Sequence, residues 1–251
     1  MLSRSLPLTK LFGITCFSKN MKNLLMWAHY ANSHKGICLG FDINENTLHD
    51  FILNSDNINL MLKKVIYRED RPHIKIFNDS NSNFSKQFTE AILTKDTIWR
   101  YEEEYRLIAH NKNKNKDFPK ILYYNPSFLK EFILGSQLPL NKFFELYNLV
   151  FKLLLKTNPN LKIGFCVPNI NKFKINIKFI TNISIFYSNC KNLLKIVQNK
   201  YPNDKLNDIP MHIILIFFPE ITNKKLNNIP SEMYYDFHKI YTIYNCNNTI
   251  Y

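Results

Sequence analysis

The stretch WRYEEEYRLI, at 99–108, contains two glutamates whose type and spacing could do chemistry. If this stretch is a strand, alternate side chains share one face, and that face carries Arg100, Glu102, Glu104 and Arg106. Two carboxylates separated by two strand positions stand about 7 Å apart, and the flanking guanidinium groups keep both ionised. Such an array can hold a sugar hydroxyl, stabilise an oxocarbenium ion or accept a proton. The alternative is an exposed strand whose charges pair with each other and do nothing else.

A second candidate stretch, CFSKNMKNLLMWAHYANSHKGICLGFD, runs from Cys16 to Asp42 and concentrates residue types that are scarce elsewhere in the chain. Trp27, His29, Tyr30 and His34 are candidates for binding a substrate, and Trp27, Tyr30 and His34 are spaced to line a pocket at a helix-to-strand turn. Aromatic rings beside a histidine can hold a nucleobase or a nicotinamide by stacking. Ordinary core packing of Trp27 and Tyr30 is the alternative.

The same stretch allows two further interpretations. Cys16, His29, His34 and Cys38 could form a zinc site, but neither short CxxC knuckle is present and the two histidines need not converge. A cysteine nucleophile with His29 as its base is chemically possible. On buried strands, however, a free cysteine behaves as a small hydrophobic residue. We therefore expect no metal site.

Composition narrows the class of protein. The chain has 251 residues, a net charge of +13 and five widely spaced cysteines, which predict free thiols in a reducing compartment. The longest apolar runs, 149–155 and 211–218, are too short to cross a bilayer, so we expect a cytoplasmic protein without a membrane partner. The positive charge suits phosphate-bearing partners, whereas lysines scattered by AT-rich codon usage would explain it equally.

The order of elements predicts an α+β fold, with a mostly antiparallel mixed sheet and flanking helices. We expect a core domain over 1–180 and a C-terminal extension over 181–251. The predicted strands are 12–18, 37–42, 63–70, 99–108, 121–124, 131–135, 162–167, 172–180 and 211–218. The predicted helices are 22–32 (capped by Asn20), 48–53, 84–96, 142–156 (capped by Asn141) and 190–200, with a loop at 78–83 and a turn at 33–36 in which Gly36 adopts a positive φ.

Several of these motifs together resemble the bacterial family known as domain of unknown function 2971. The resemblance covers about residues 10–180, and its motifs occur in the same order and at the same separations. They are Cys16-Phe17-Ser18, Met26-Trp27 with His29-Tyr30, His34-Lys35-Gly36, Phe41-Asp42, Lys95, Trp99-x-Tyr101-Glu102-x-Glu104-Tyr105-Arg106 and Ile133-x-Gly135. Members carry a further segment upstream of the CFS strand, so we expect this chain to be shortened at its N-terminus.

The family's members loosely resemble mono-ADP-ribosyltransferases in fold. That resemblance implies NAD as a possible substrate. It also implies that Glu104 steadies an oxocarbenium-like ribose, that Glu102 assists, that Ser18 braces the site, and that Trp27, Tyr30 or Trp99 stacks on nicotinamide. Likeness at the level of fold is weak support for function.

Three hypotheses for function remain open from the sequence. The first is an enzyme acting on a nucleotide or a sugar-phosphate, with ADP-ribosyl transfer as its sharpest form. The second is a non-catalytic nucleic-acid-binding or defence module, in which the basic strand 172–178 and the NKNKNK turn contact phosphates. The third is a degenerate copy of the family. Oligomeric state is beyond the sequence.

Overall fold

The computed structural model describes residues 12–73, 81–113, 119, 121–169, 171–172, 174–200, 202, 209–211 and 214–215. Its strands are β1 (Phe12–Ser18), β2 (Ile37–Phe41), β3 (Ile58–Lys64), β4 (Ile66–Arg68), β5 (Thr94–Asp96), β6 (Glu104–Asn111), β7 (Leu129–Leu134), β8 (Lys162–Pro168) and β9 (Ile175–Ile180). Its α-helices are α1 (Leu24–Tyr30), α2 (Leu48–Phe51), α3 (Asn81–Leu93), α4 (Leu140–Leu146), α5 (Lys152–Thr157) and α6 (Ile183–Lys200).

The chain divides into two compact units, and each unit is built from two separate stretches. The first combines Met1–Asn23 with Asp42–Phe128, and the second combines Leu24–Phe41 with Leu129–Tyr251. The predicted division at residue 180 stays a prediction. The α+β prediction is confirmed, because four of the six strand pairings among the described residues are antiparallel and two are parallel.

The first unit contains a three-stranded antiparallel sheet in the order β1-β6-β3. Strand β6 is central, and Leu107, Ile108 and Ala109 in its middle are 3–5% exposed. The same unit contains the short strands β4 and β5, which pair in parallel. Strands β5 and β6 each carry residues of the candidate site described below.

The second unit contains a four-stranded mixed sheet in the order β2-β7-β8-β9. A nearly continuous helix from α4 through a π-helical turn, Tyr147–Phe151, to α5 packs on it together with α6. Phe143 lies 5.8 Å from Phe165 of β8 and 5.3 Å from Phe186 of α6, measured between ring centroids. All three rings are fully buried, so the apolar faces of strand and helices form this unit's core.

The strand predicted over 99–108 is wrong in its first half. Thr97–Glu102 is a 3-10 helix, Glu103 adopts a left-handed backbone conformation with a φ of 46°, and only from Glu104 is the chain extended. The inferred alternation of Arg100 and Glu102 with Glu104 therefore does not exist. Tertiary contacts of this turn, given below, override the local strand pattern.

Several smaller predictions are also corrected. Residues 81–83 belong to α3, not to a loop, and residues 121–123 are irregular, with only Tyr124 bridging to Ile52. Met211, Ile214 and Leu215 are helical where a strand was predicted. Residues 78–80 and the second half of the NKNKNK turn, 114–116, lie outside the described residues.

Three predicted details of the backbone are wrong as well. The first turn of α4 follows Pro139, so Asn141 lies inside the helix and does not cap it. Gly36 has no positive φ. Strand β1 is mostly exposed, Cys16 included, because it is the edge of a three-stranded sheet.

Other predictions are confirmed. Strands β1, β2, β7 and β8 and helices α2 and α6 lie where apolar periodicity predicted them, α6 beginning earlier. The pairing of β2 with β7 shifts register between Gly40 and Phe41. No helix among the described residues is long and apolar enough to cross a membrane.

Candidate functional site

The turn before β6 is set by local capping and a left-handed residue. The Asp96 carboxylate accepts a hydrogen bond from the Ile98 N–H at 2.9 Å and so caps the 3-10 helix. Glu103 ends that helix in the left-handed region, where a side chain other than glycine costs about 1 kcal/mol. The turn brings Glu102 and Glu104 back toward Lys95 of β5.

The segment just after β1 holds this turn in place. The Lys19 N–H donates to the Glu103 carbonyl at 3.2 Å, and the Asn20 side-chain amide donates to the Glu103 carboxylate at 3.1 Å. The Asn23 side chain donates to the Tyr101 carbonyl at 2.7 Å. The two stretches singled out in the sequence therefore meet within the first unit, and one fixes the backbone of the other.

Four charged side chains form what we call the charged cluster: Lys95, Glu102, Glu104 and Arg106. The Lys95 ammonium donates to Glu102 and, at 3.1 Å, to Oε2 of Glu104. Arg106 donates from Nε to Oε1 of Glu104 at 2.8 Å, and from Nη2 to Oε2 at 3.3 Å. The other nitrogen of its guanidinium group bonds to the Ile92 carbonyl.

The carboxylates of the charged cluster are buried, whereas both of its cations are partly exposed. The side chains of Glu102 and Glu104 are 3% and 5% exposed, whereas those of Lys95 and Arg106 are 22% and 16% exposed. Burying an ion costs several kcal/mol unless partners compensate it. Two positive and two negative charges balance here, so no buried charge is left uncompensated.

The pKa values follow from this packing. Burial alone would raise the pKa of Glu104, but hydrogen bonds from Arg106, Cys16 and Lys95 outweigh it and bring the pKa down to about 2. Burial opposes the charged form of Lys95 too, yet its bonds to the two glutamates raise its pKa. The arginine's pKa is raised in the same way. At neutral pH, Glu104 is thus a fixed anion and Lys95 a fixed cation.

Three further residues complete the surroundings of Glu104. The Cys16 thiol lies opposite Arg106 in the sheet register, and its pKa is raised to about 11, first by desolvation and then by its hydrogen bond to Glu104. The Tyr67 hydroxyl accepts the Glu104 backbone N–H at 2.9 Å. Ser18 lies directly opposite Glu104 in the register, which places it beside the cluster.

An aromatic ring borders the exposed cation. The Lys95 ammonium lies 5.1 Å from the centroid of the Trp99 ring, and Trp99 is 36% exposed. Tyr101 lies 6.0 Å from Trp99, between ring centroids. Arg100 lies over the Tyr67 ring at 5.9 Å and is not a member of the charged cluster.

The predicted pocket residues Trp27, His29, Tyr30 and His34 belong to the second unit. Trp27 is 3% exposed, as core packing predicts, and Tyr30 is 64% exposed. His29 is exposed, with its ring 6.3 Å from that of Tyr30. Their assignment to substrate binding stays a prediction, as does that of Ser18 and Trp99.

His34 occupies an unusual backbone turn. Asn32, Ser33 and His34 have φ values of 47°, 51° and 65°, three consecutive left-handed residues. The His34 N–H donates to the Trp27 carbonyl at 3.1 Å. Its Nδ1 is buried without a hydrogen-bond partner, and desolvation lowers the pKa of the ring.

Glycine at two motif positions is required by close backbone packing around this turn. A Cβ on Gly135 would lie 2.0 Å from the His34 carbonyl oxygen, and one on Gly36 would lie 3.0 Å from the Ala31 carbonyl. The Gly135 N–H donates to the Gly36 carbonyl at 2.9 Å. The HKG and IxG motifs therefore pair with each other through the backbone.

Sequence reasoning found Glu102, Glu104 and Arg106 but gave no role at the site to Lys95 or Tyr67. The separation of Lys95 and Glu102 along the chain does not predict a contact, because the 3-10 helix between them determines where the two side chains lie. Among the described residues, no group of three or more His, Cys, Asp or Glu side chains is arranged to hold a metal ion.

Fold and site define an α+β protein with a buried ion network at the start of a central strand. Residues 26–107 match the model of the family described as "Protein of unknown function (DUF2971)". The match confirms, over that segment, the family resemblance seen in the sequence. No curated protein and no solved structure gives a significant match.

Proposed function

We propose that the protein is an enzyme that acts on a nucleotide or sugar-phosphate substrate at the charged cluster. The observation that carries this proposal is the convergence of two buried carboxylates on one partly exposed ammonium, Lys95, beside the exposed ring of Trp99. Charged groups with strongly shifted pKa values concentrate at functional sites, although structural ion networks shift them too.

Lys95 is the group that contacts the substrate. An ammonium group has three N–H donors, of which two go to Glu102 and Glu104. The third can donate to a hydroxyl or phosphate oxygen. Because its raised pKa keeps it protonated, Lys95 acts as a hydrogen-bond donor and a charge, not as a nucleophile.

Glu104 positions Lys95 and supplies a fixed negative charge. A carboxylate has about four lone-pair sites, and here Lys95, two nitrogens of Arg106 and the Cys16 thiol address them. A pKa of about 2 makes it too weak a base for proton transfer at neutral pH. Its charge holds both cations and favours positive charge developing on a bound sugar.

ADP-ribosyl transfer from NAD is the finer form of the proposal. It is supported by the E-x-E motif, whose second glutamate begins β6, and by Ser18 on the adjacent strand, opposite Glu104. Trp99 offers a ring on which nicotinamide or adenine can stack. Cleavage of the nicotinamide–ribose bond leaves positive charge on the ribose, which the fixed anion Glu104 stabilises electrostatically.

The test is release of nicotinamide from NAD by purified protein, followed by chromatography. We expect Glu104→Gln to lower kcat by about 100-fold or more, the loss typical of removing one electrostatic group. The matched control is Glu90→Gln, which alters an exposed pair with Arg68 in the same unit. Thermal melts of both variants separate lost chemistry from lost folding.

A second pair of variants tests the ring. Trp99→Ala should raise KM about tenfold, since stacking of a base on an aromatic ring contributes about 1–3 kcal/mol. Tyr123→Ala removes another exposed ring of the first unit, 66% exposed, and should leave KM unchanged. Failure to release nicotinamide eliminates the NAD form. Inactivity on a panel of nucleotides and sugar-phosphates, or full activity in Glu104→Gln, eliminates the proposal.

A further inference from the structure

The positive charge of this protein is concentrated in two stretches of the chain. Residues 1–41 contain five basic residues and no aspartate or glutamate, and a longer stretch of the same kind lies toward the C-terminus. Residues 146–203 contain nine lysines and no aspartate or glutamate. At the chain's average frequency of acidic residues, a stretch of that length would contain about five. By contrast, residues 42–128 have equal numbers of basic and acidic residues. Codon usage accounts for scattered lysines but not for a local absence of acids, because AT-rich codons also encode aspartate and glutamate.

Four of these lysines lie on neighbouring helices of the second unit, and we call them the lysine surface: Lys152 and Lys156 on α5, Lys191 and Lys195 on α6. All four residues are exposed. Each pair is spaced i, i+4, about 6 Å along the helix axis, and therefore shares one helix face. Like charges at this spacing destabilise a helix by a few tenths of a kcal/mol, a cost that folding alone does not require.

Aromatic rings, and not carboxylates, contact the ammonium groups of Lys152 and Lys191, which we call the central pair. The Lys152 ammonium lies 5.4 Å from the Tyr147 ring, and the Lys191 ammonium 5.8 Å from the Tyr187 ring. The two rings stack at 3.9 Å with an interplanar angle of 16°. These distances place the two ammonium groups at most about 15 Å apart. A cation–π contact positions a charge without neutralising it.

Salt bridges are confined to other parts of the described chain. Each ion pair that the described residues form lies outside 146–203, including Lys142 with Glu145 just before it. The predicted basic strand is less suited to phosphates, because Lys178 donates to the Leu215 carbonyl at 3.3 Å. The helices therefore offer the better electrostatic surface.

We propose that the lysine surface binds the phosphate backbone of nucleic acid without reading its sequence. A duplex carries one charge per about 1.7 Å of its axis, so several phosphates fall within the span of the two central ammonium groups. The stacked tyrosines are packed side by side, with Tyr147 8% exposed, and they orient the lysines without stacking on bases. This inference does not depend on the charged cluster.

An anionic lipid surface is the competing partner, because Leu149 and Leu153 are exposed beside the lysines. Helices that lie in a membrane interface bury a whole apolar face by about 5–10 Å. Here the apolar face is already used, since Phe143, Tyr147 and Phe151 pack inside the unit. Two leucines one turn apart do not replace it, so nucleic acid is favoured.

The test is fluorescence anisotropy of a labelled random-sequence DNA duplex titrated with the full chain at several salt concentrations. Four phosphate contacts predict a log–log slope of about −3.6, or about 150-fold weaker binding at 200 mM than at 50 mM salt. K152Q/K191Q should reduce the slope by about 1.8, as should K156Q/K195Q, which removes no cation held on a ring. K22Q/K64Q, two exposed lysines of the first unit, is the charge-matched control.

The proposal is overturned if the duplex does not bind at low salt, or if the control pair weakens binding as much as the helix pairs do. It is also overturned if vesicles containing phosphatidylserine bind and the duplex does not. Glu104→Gln should bind the duplex like the unaltered chain, and K152Q/K191Q should release nicotinamide like it. The two proposals can therefore fail separately.

Discussion

Lys95→Met tests whether the charged cluster is as buried as its geometry indicates. The substitution keeps the length of the side chain but removes the ammonium that Glu102 and Glu104 share. Arg106 then remains as the partner of Glu104, and Glu102 loses the cation that compensates it. Breaking a buried ion pair by removing one partner typically costs about 3–5 kcal/mol.

The structure places the expected cost at the lower end of that range. The two carboxylates are 3% and 5% exposed, but the side chain of Lys95 is 22% exposed, so water screens part of the interaction. We expect Lys95→Met to lower the free energy of unfolding at pH 7 by about 3 kcal/mol. Lys63→Met is the control, because Lys63 and Glu45 are 44% and 60% exposed. It should cost no more than about 1 kcal/mol.

A second substitution gives a second readout for the same contact. Once the ammonium is removed, a neutral amide at position 102 is less costly to bury than a carboxylate. Adding Glu102→Gln to Lys95→Met should recover at least half of the loss at pH 7.

Hydrogen exchange measured by mass spectrometry on peptides from β6 is the appropriate assay, because it reports the first unit directly. A loss of about 3 kcal/mol corresponds to exchange faster by about 150-fold where opening is equilibrium-controlled. The reasoning fails if β6 exchanges within fivefold of the unaltered chain. It also fails if Glu102→Gln leaves Lys95→Met no more stable than before.

Three other predictions follow from the same contacts. Because the pKa of Glu104 is about 2 against an ordinary 4.5, its stabilisation is complete above pH 4.5 and is lost toward pH 2; after solvent screening we expect acid unfolding curves to show about 1–2 kcal/mol from this group, absent in Glu104→Gln. Gly135→Ala should lower the melting temperature far more than Gly40→Ala, since the new Cβ meets a backbone oxygen at 2.0 Å in one case and a side-chain carbon at 3.0 Å in the other. The Cys16 thiol, with a pKa of about 11, should react slowly with iodoacetamide at pH 7.5 and faster in Glu104→Gln, measured by peptide mass spectrometry; equal rates in both would contradict a bond between the two side chains.

Sequence patterns predicted those elements whose cores are local and apolar. Strands β7 and β8 contain the apolar runs 132–134 and 163–166, whose residues are buried, so the hydrophobic pattern was sufficient. Helix α6 was predicted for the same reason. Met211, Ile214 and Leu215 of another apolar run are helical, because short apolar runs do not by themselves distinguish helix from strand.

The candidate site was predictable only in part. The E-x-E-x-R pattern identified Glu102, Glu104 and Arg106, because recognising this pattern does not require knowledge of the turn. Lys95 could not be assigned a role from spacing, since the 3-10 helix and the left-handed Glu103 determine what it meets. Those backbone features depend on Asn20 and Asn23, which lie about eighty positions away.

The charged cluster is better explained by a requirement for specific positions than by a requirement for stability. An apolar cluster of similar volume would often be as stable as a buried ion network or more stable. The network instead requires three segments to come together at one point. Lys95 of β5 must meet Glu102 of the 3-10 helix and Glu104 of β6. The asparagines after β1 add a fourth segment to the same turn. A site that presents one cation beside an exposed indole needs directional contacts that fix the position of that cation. A hydrophobic core does not provide them, because apolar contacts are non-directional.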